Sequence, residues 1–514
     1  MKLNYKRTIL VGFAFFLICA FWQAYDATIP VILTNKFGMS QTASGVIMAL
    51  DNILAVFMLP IFGALSDKCR SKKGKRTPFI TIGTTIAAVL LVALAFVDNV
   101  QLQRVTDIAQ IDDPSTLAVI YEQQADATLQ TPEGEQFVLG QVFSEEDFTS
   151  ITSEITLASG KTTPNPDYTN YVVPARQACA AVATAADPVP MYLFIGLLLA
   201  LLISMSIFRS PAVALMPDVT VKPLRSKANA VINLMGTAGG ILVLVLGMVF
   251  ATSAVRNAMM NYYVYYGIIA ALMLGALAIF LLTVREPQWA KEMQAASAQL
   301  EEEAAQEGEK RRLSKSEITS MLLILASVAL WYIGYNAVTS KYSLYASSVL
   351  GMDYNTTMLI AQGAAIVSYL PAGMVASKIG RKKTILGGVV MLASAFAIAA
   401  FMRAGSPVLL MNVLFALAGI GWATINVNSF PMVVEMCSGA DIGKFTGYYY
   451  TASMAAQVIT PIFSGFLMDQ MGMVVLFPYA AIFAGLAFVT MLFVKHGDTK
   501  IVAKKGLEAL DIED

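Results

Sequence analysis

Histidine is almost absent from this chain. The single His496 lies near the C-terminus, which removes histidine-based acid–base catalysis and most histidine metal sites. Cysteine is scarce and scattered. Cys19, Cys69, Cys179 and Cys437 show no CxxC or CxxH spacing, so no metal or redox centre is read from them. Cys179 has no second cysteine on its side of the chain with which to build a disulfide framework. Charge is the third shortage. Charged residues make up 14% of the 514 residues and hydrophobic ones 57%, whereas a soluble domain carries about a quarter charged. Formal net charge is zero, so the overall balance points to no nucleic acid or acidic partner. With no Ser/His/Asp set, metal cluster or nucleotide loop, the chain is read as a non-enzyme that needs no cofactor.

Long apolar runs are what the sequence has in quantity. About 20 residues of helix, rising 1.5 Å each, cross a hydrocarbon core of roughly 30 Å. Such runs predict spans at 8–34, 43–66, 77–97, 190–215, 226–252, 262–284, 317–340, 356–376, 384–403, 407–434, 443–468 and 473–495. The basic N-terminus and the run after it resemble a signal peptide, but the run is too long and no small-x-small cleavage pattern follows, so it is taken as the first span. Basic residues then set the orientation. Lys2, Lys6 and Arg7 precede span one, and Lys68, Arg70, Lys72, Lys73, Lys75 and Arg76 follow span two. Further clusters lie at Lys222, Arg225 and Lys227, at Lys310 to Lys315, at Lys378 to Lys383, and at Lys495 to Lys505. All fall on one side only if the span count is even and both termini are cytoplasmic.

Two segments stand outside the apolar pattern. Residues 98–189 are polar, acidic and rich in threonine, and the charge bias puts them outside the cytoplasm, as either a small folded cap or a loosely ordered loop. Residues 285–316 read as a charged cytoplasmic linker helix. The expected organisation is therefore an amino-terminal six-helix bundle (1–97 and 190–284), the insertion, the linker, a carboxyl-terminal six-helix bundle (317–495) and a tail (496–514).

An internal repeat supports the division. GALSDKCRSKKGKR, from Gly63 to Arg76, follows span two, and GMVASKIGRKK, from Gly373 to Lys383, follows the second span of the second half. In each, a glycine lets helix ends approach, a Gly turn follows, and basic residues face the cytoplasm. One such turn is ordinary in a membrane protein; two at equivalent positions are a repeat.

GALSDKCRSKKGKRTPFI (Gly63 to Ile80) resembles the loop signature of the major facilitator superfamily. Its spacing and GKRTPFI ending look like two sugar–cation symporter branches, the sucrose-transporter-like carriers and the glycoside–pentoside–hexuronide family. RSPAVALMPDVTVKPLRSKANAVINLMG (Arg209 to Gly236) is similar to the sucrose-transporter-like segment of spans four and five. The resemblance implies an all-α membrane protein of twelve helices in two pseudo-symmetric six-helix bundles, with an extracytoplasmic insertion between helices three and four. It implies a monomer in the cell membrane, bathed in lipid, taking a sugar and a coupling cation by alternating access. The second copy has Ser377 where the superfamily motif usually has Asp. The span-four Asp–Arg pattern of the plant carriers is replaced by Leu202 and Val213, with Arg209 one turn before Val213. The span-two aspartate pair of the melibiose-permease kind is replaced by Ala55 and Leu59, with Asp51 one turn earlier.

Charge inside a span costs roughly 2.5–3.5 kcal/mol on insertion scales and so marks function. Asp26 and Asp51 lie at similar depth in adjacent spans, and paired carboxyl groups away from water are suited to exchanging a proton or holding a cation. Arg209 either counters such a carboxylate or braces the cytoplasmic gate with Asp67 or Asp218. Gate residues by position are Gly63, Asp67, Gly74, Lys75, Arg76, Asp218 and Arg225, with Gly373, Gly380 and Arg381 in the second copy. Sugars offer hydroxyls and apolar C–H faces, so amides and aromatics near the midplane are substrate candidates: Gln23, Tyr25, Trp331, Tyr335, Asn336, Gln362, Trp422, Asn426 and Gln457. Each competes with a packing role. Lys341 is expected to snorkel from the end of span seven. The leading expectation is a proton- or sodium-coupled symporter for a disaccharide or glycoside; the alternative is an exporter of drugs or other small organic compounds.

Overall fold

A computed structural model describes residues 3–156, 162–221, 224–303, 314–434, 436 and 442–497. Long helices dominate because the apolar runs leave no other way to satisfy the backbone out of water. Among the described residues, eleven helices are long and apolar enough to cross a membrane. In the first half the long helices are α1 (Tyr5–Asn35), α2 (Gln41–Asp67), α3 (Thr77–Arg104), α8 (Val189–Val219), α9 (Arg225–Val249) and α10 (Tyr263–Thr283). After α11 (Glu286–Glu303) come α12 (Lys315–Tyr345), α13 (Tyr354–Ile379), α14 (Arg381–Ala399), α15 (Val408–Val434), α16 (Ile442–Met471) and α17 (Leu476–Leu492). α13 is a long helix of the second half that is not among the eleven.

The halves pack by one pattern. α1 lies on α9, α3 on α8, α2 on α8 and α3 on α10, and correspondingly α12 lies on α16, α14 on α15, α13 on α15 and α14 on α17. Each half has its own core, one around Phe21, Met205 and Phe208, the other around Trp331, Phe415 and Phe477. Large apolar side chains such as Leu282 and Phe401, each 85% exposed, point away from both cores. That is the surface of a chain whose solvent is lipid. Across the halves the contacts are reciprocal: α1 meets α12, α2 meets α16, and α9 meets α13.

Between α3 and α8 the chain forms a cap at one end of the helices. It contains α4 (Pro114–Gln124), the hairpin of β1 (Thr128–Gln130) with β2 (Gln136–Val138), α5 (Leu139–Val142), α6 (Glu145–Thr149), the hairpin of β3 (Glu154–Thr156) with β4 (Thr162–Pro164), and α7 (Val173–Ala186). Leu117, Ile120, Leu139, Phe148, Tyr168 and Val172 build its core, so of the two expectations for this segment the folded cap is what the structure has. Buried Tyr168 is raised to about 12 by burial, against the neighbouring Arg176. α3 runs on to Arg104, past the boundary read at 98.

Two lysines differ from expectation. Lys36 and Asp98, both read as lying beyond the spans, form a wholly buried ion pair at 2.6 Å. Lys341 does not snorkel. It is fully buried, and its ammonium donates to the Gln41 carbonyl at 2.9 Å across the halves. The Gln41 side-chain oxygen, at 3.4 Å, is a second acceptor for the same ammonium.

Candidate functional site

Two adjoining cavities lie between the halves. The larger, about 310 Å³, is bordered by Trp22, Gln23 and Asp26 of α1, Tyr335 of α12, Gln362 of α13 and Trp422 of α15. Phe396, Phe415, Met358 and Val338 make the rest of its wall largely apolar. The smaller, about 160 Å³, is bordered by Asp26, Asp51, Asn52, Arg209, Asn336 and Gln457. Trp22, Asp26 and Thr339 border both.

Local sequence explains how the groups converge. Trp22 and Asp26 are one turn apart on α1, so they share a face. Pro211 and Pro217 interrupt the ladder of α8 just after Arg209. The Arg209 guanidinium lies over the Trp22 ring, 5.3 Å from its centroid, and both border the same cavity as the two aspartates. Asn52 Nδ2 donates to Asp51 Oδ1 at 2.7 Å. On the opposite wall Tyr335 stacks flat on Trp422, with centroids 3.6 Å apart and planes 2° from parallel. Gln362 Nε2 donates to Gln23 Oε1 at 2.6 Å, joining α13 to α1 across the cavity. Gly240 faces this pair, where a Cβ would come 3.3 Å from Gln362 Oε1.

The structure thus brings Asp26, Asp51, Arg209, Gln23, Tyr335, Asn336, Gln362, Trp422 and Gln457 to these two cavities. Trp331 instead packs fully buried in the carboxyl-terminal core, as an aromatic at helical spacing often does. Tyr25 is buried against Phe21 and Trp22, and neither it nor Asn426 borders either cavity. Arg209 is not placed with Asp67 or Asp218, because Arg76 takes both. Trp22 is a site residue that sequence reasoning missed. Its spacing to Asp26, on a face that also carries Cys19, is the available signal.

At the end away from the cap, Arg76 organises the first Gly-rich turn. Its Nε donates to Asp218 at 2.7 Å and its Nη2 to Asp67 at 2.5 Å, with a further bond to Ser66. Burial disfavours the cation, and the two carboxylates outweigh it and raise its pKa. The turn itself rests on Glu286, which the sequence places only in a linker. Its Oε1 accepts from the amides of Lys75 and Arg76 at 2.6 and 2.9 Å, and its Oε2 from the amide and hydroxyl of Thr77. A carboxylate at the start of α3 is favoured by the free amides and the helix dipole. Gly74, at φ +115°, passes so close to this carboxylate that a Cβ would fall 2.3 Å from it. Gly63 lets α2 approach Ser210 of α8, where a Cβ would sit 3.0 Å from the hydroxyl. In the second copy Gly373 and Arg381 are buried and Gly380 turns the chain at φ +92°. The Arg225 side chain lies outside the described residues.

At the cap end the halves are fastened. Asp469 of α16 accepts from the amides of Gln41 and Thr42, both at 2.7 Å, and so caps α2 from the other half. Ser253 donates to Asp353 Oδ1 at 2.6 Å, and the Tyr354 and Thr252 hydroxyls meet at 2.7 Å. Burial works against the Asp353 carboxylate, but the hydroxyls of Ser253 and Thr356 and the Asn355 groups outweigh it and hold its pKa low. The hydrogen bonds between halves that join described residues run from Gln23–Gln362 toward the cap end.

Comparison with known proteins follows the fold. The family model of the Major Facilitator Superfamily matches residues 11–106 and 356–511, one stretch in each half. A curated relative, the MFS-type transporter ppzB of Metarhizium rileyi (strain RCEF 4871), is 28% identical over 120 residues, which span 23% of this chain and 24% of that protein. The chain therefore matches about a quarter of that relative's length. Among solved structures, a D-xylose-proton symporter superposes with a TM-score of 0.58 at 15% identity, covering 97% of this chain and all of that one. A point mutant of the nucleoside transporter NupG gives 0.57 at 14% identity over 95% of this chain and 100% of that one. A point mutant of a peptide transporter POT, in complex with alafosfalin, gives 0.57 at 10% identity, covering 95% and 93%. The Major Facilitator Superfamily model is thus matched in both halves, over just under half of the residues, and the chain is similar to that superfamily; its many long apolar helices make it a multi-pass membrane protein.

Proposed function

We propose that this chain is a cation-coupled sugar symporter that works by alternating access, with a disaccharide or glycoside as its substrate. In this reading the twelve long helices cross the membrane as two six-helix bundles, the cap lies outside, and both termini are cytoplasmic. The observation that carries it is the junction of the two cavities at Trp22, Asp26 and Thr339. One compartment holds two aspartates and an arginine, the chemistry of a proton or sodium site. The other sets stacked aromatics opposite amides, which suits a ring with apolar C–H faces and hydroxyls. That a D-xylose-proton symporter shares the fold adds weight to a sugar. Substrate in the larger cavity would touch Gln23, Gln362, Tyr335 and Trp422 and lie next to Asp26. Protonation or cation binding at Asp26 and Asp51 alters the charge facing Arg209, and the loaded site can then pass through a low-dielectric state at lower cost. The fastened cap end corresponds to a state closed to the outside.

The mostly apolar wall of the larger cavity favours the alternative, export of apolar or cationic compounds, and the same test separates the two. In proteoliposomes, Asp26→Asn or Asp51→Asn should abolish gradient-driven uptake and spare substrate exchange. Full accumulation in both variants would remove these residues from coupling; expulsion of cationic dyes with no sugar uptake by the native protein would favour the exporter.

A further inference from the structure

The cap is attached by chain to α3 and α8, both in the amino-terminal half. The side-chain hydrogen bonds it makes to the long helices lie there too, while residues 168–172 also meet 346–350 of the other half. Gln177 Nε2 donates to Asn35 Oδ1 at 2.7 Å, and Gln101 Nε2 to Thr184 Oγ1 at 3.0 Å. Gly38, at φ +63°, presses so closely on Gln177 and Ala181 that a Cβ would come 2.3 Å from the Ala181 amide. Val255 and Met259, from the connection between α9 and α10, belong to the cap's core.

Toward the carboxyl-terminal half the cap reaches with its turns. The Pro132 carbonyl, in the turn between β1 and β2, accepts the Met473 amide at 2.7 Å. Gly134 and Gly472, at φ +97° and +84°, meet back to back, and a Cβ on either would fall 2.4 Å from backbone atoms of the other side. Glu133 pairs with Arg403 at 3.5 Å, and the two side chains are 44% and 39% exposed. The second hairpin sets Pro164 on Gly351. Under this bridge lies a cavity of about 250 Å³, lined by Gln130 and Gln177 of the cap, Gln41 of one half, and Ser348 and Asp469 of the other.

Any opening at this end draws Asp469 and Lys341 away from α2, and the cap can follow only one half. We infer that the cap is a detachable strap. It travels with the amino-terminal half, and its β1–β2 turn lets go of residues 471–473 and Arg403 whenever the cap end opens. The contact is specific in shape, since two left-handed glycines meet without side chains. Its polar part is weak, one main-chain hydrogen bond and one exposed ion pair at the β1–β2 turn, beside the apolar contacts of Pro164 with Gly351 and of residues 168–172 with 346–350. Its strength therefore sets how often the cap end is closed. The inference rests on the alternating-access reading above.

The test uses full-length protein with the four native cysteines replaced and a Thr339→Cys probe in the shared cavity wall. A membrane-impermeant maleimide is applied from the cap side or from the opposite side. Glu133→Lys, which puts two cations together at the tip, should raise cap-side labelling about two- to fivefold, with a matching fall from the other side. Gly472→Ala should raise it by about tenfold or more, since the turn can no longer seat. Reversing the pair, Glu133→Lys with Arg403→Glu, should return labelling toward the parent. Unchanged cap-side labelling in Glu133→Lys, in a protein whose parent labels measurably from both sides, would overturn the strap alone. Labelling confined to the opposite side in the parent and every variant would sink alternating access together with it.

Discussion

Lys36 and Asp98 offer the sharpest test of how the amino-terminal half is held together. Both side chains are fully buried. The ammonium donates to Asp98 Oδ1 and Oδ2 at 2.7 and 2.6 Å and to the Met260 carbonyl at 2.7 Å, which uses all three of its donors. The Tyr262 ring lies 4.8 Å from the nitrogen. Lys36→Met would leave a dry carboxylate with no cation opposite it. Breaking one side of such a pair costs about 3–5 kcal/mol, or two to nearly four powers of ten in the folded ratio. Removing both charges with Lys36→Met and Asp98→Leu should be far milder. The Met260 carbonyl then lacks its donor, at about 1–3 kcal/mol, while a gain of about 1–4 kcal/mol from apolar replacement offsets it. The assay is unfolding of the purified protein by SDS in mixed micelles, with the two single variants and the double forming a cycle. Strong positive coupling is expected, with the double variant within about 2 kcal/mol of the native protein. A Lys36→Met protein within about 1 kcal/mol of native would refute the reasoning, because a dry, unpaired carboxylate cannot be that cheap.

Arg76→Lys keeps the charge but loses the fork that reaches Asp218, Asp67 and Ser66 together; the same unfolding assay should show a loss of about 1–3 kcal/mol. Burial pushes the Cys179 thiol up to about 11, against the smaller opposing effects of Gln124 and Arg176. In a variant retaining only this cysteine, iodoacetamide labelling of the folded cap should be slow at pH 8, where about one thiol in a thousand is thiolate. Its rate should climb about tenfold per pH unit up to about 11, and a plateau by pH 9 would contradict the buried setting. Trp422→Ala removes the partner stacked on Tyr335 and should raise KM for transport about tenfold, while Trp422→Phe keeps most of the affinity.

Long helices were legible in the sequence because lipid imposes a simple rule: every apolar run of sufficient length shows itself, and the predicted spans match the long helices to within several residues. The repeat was legible for a related reason, since the glycines at 74 and 380 are required by backbone geometry. Asp26, Asp51 and Arg209 stood out because charge inside an apolar run is costly. Partners distant in sequence were not legible. Nothing local marks Glu286 as the cap of α3, or Lys36 as the partner of Asp98. Lys341 read as a residue near solvent because its acceptor, the Gln41 carbonyl, belongs to the other half. Trp331 and Trp422 look alike in sequence, and only the rotation of their helices sends one into a core and the other into a cavity. The cap was legible as a polar insertion, but its reach to the carboxyl-terminal half depends on backbone contacts at Gly134 and Gly472 that carry no side-chain signature.

Cation-coupled sugar transport is tested most directly by uptake into proteoliposomes of the native protein. A panel of radiolabelled mono- and disaccharides and glycosides is offered with a proton gradient or a sodium gradient imposed separately. The account predicts that at least one sugar accumulates above equilibrium under one of the two gradients, and that collapsing that gradient abolishes the accumulation. Failure of every sugar to accumulate under either gradient, in vesicles that move another organic solute, would contradict it.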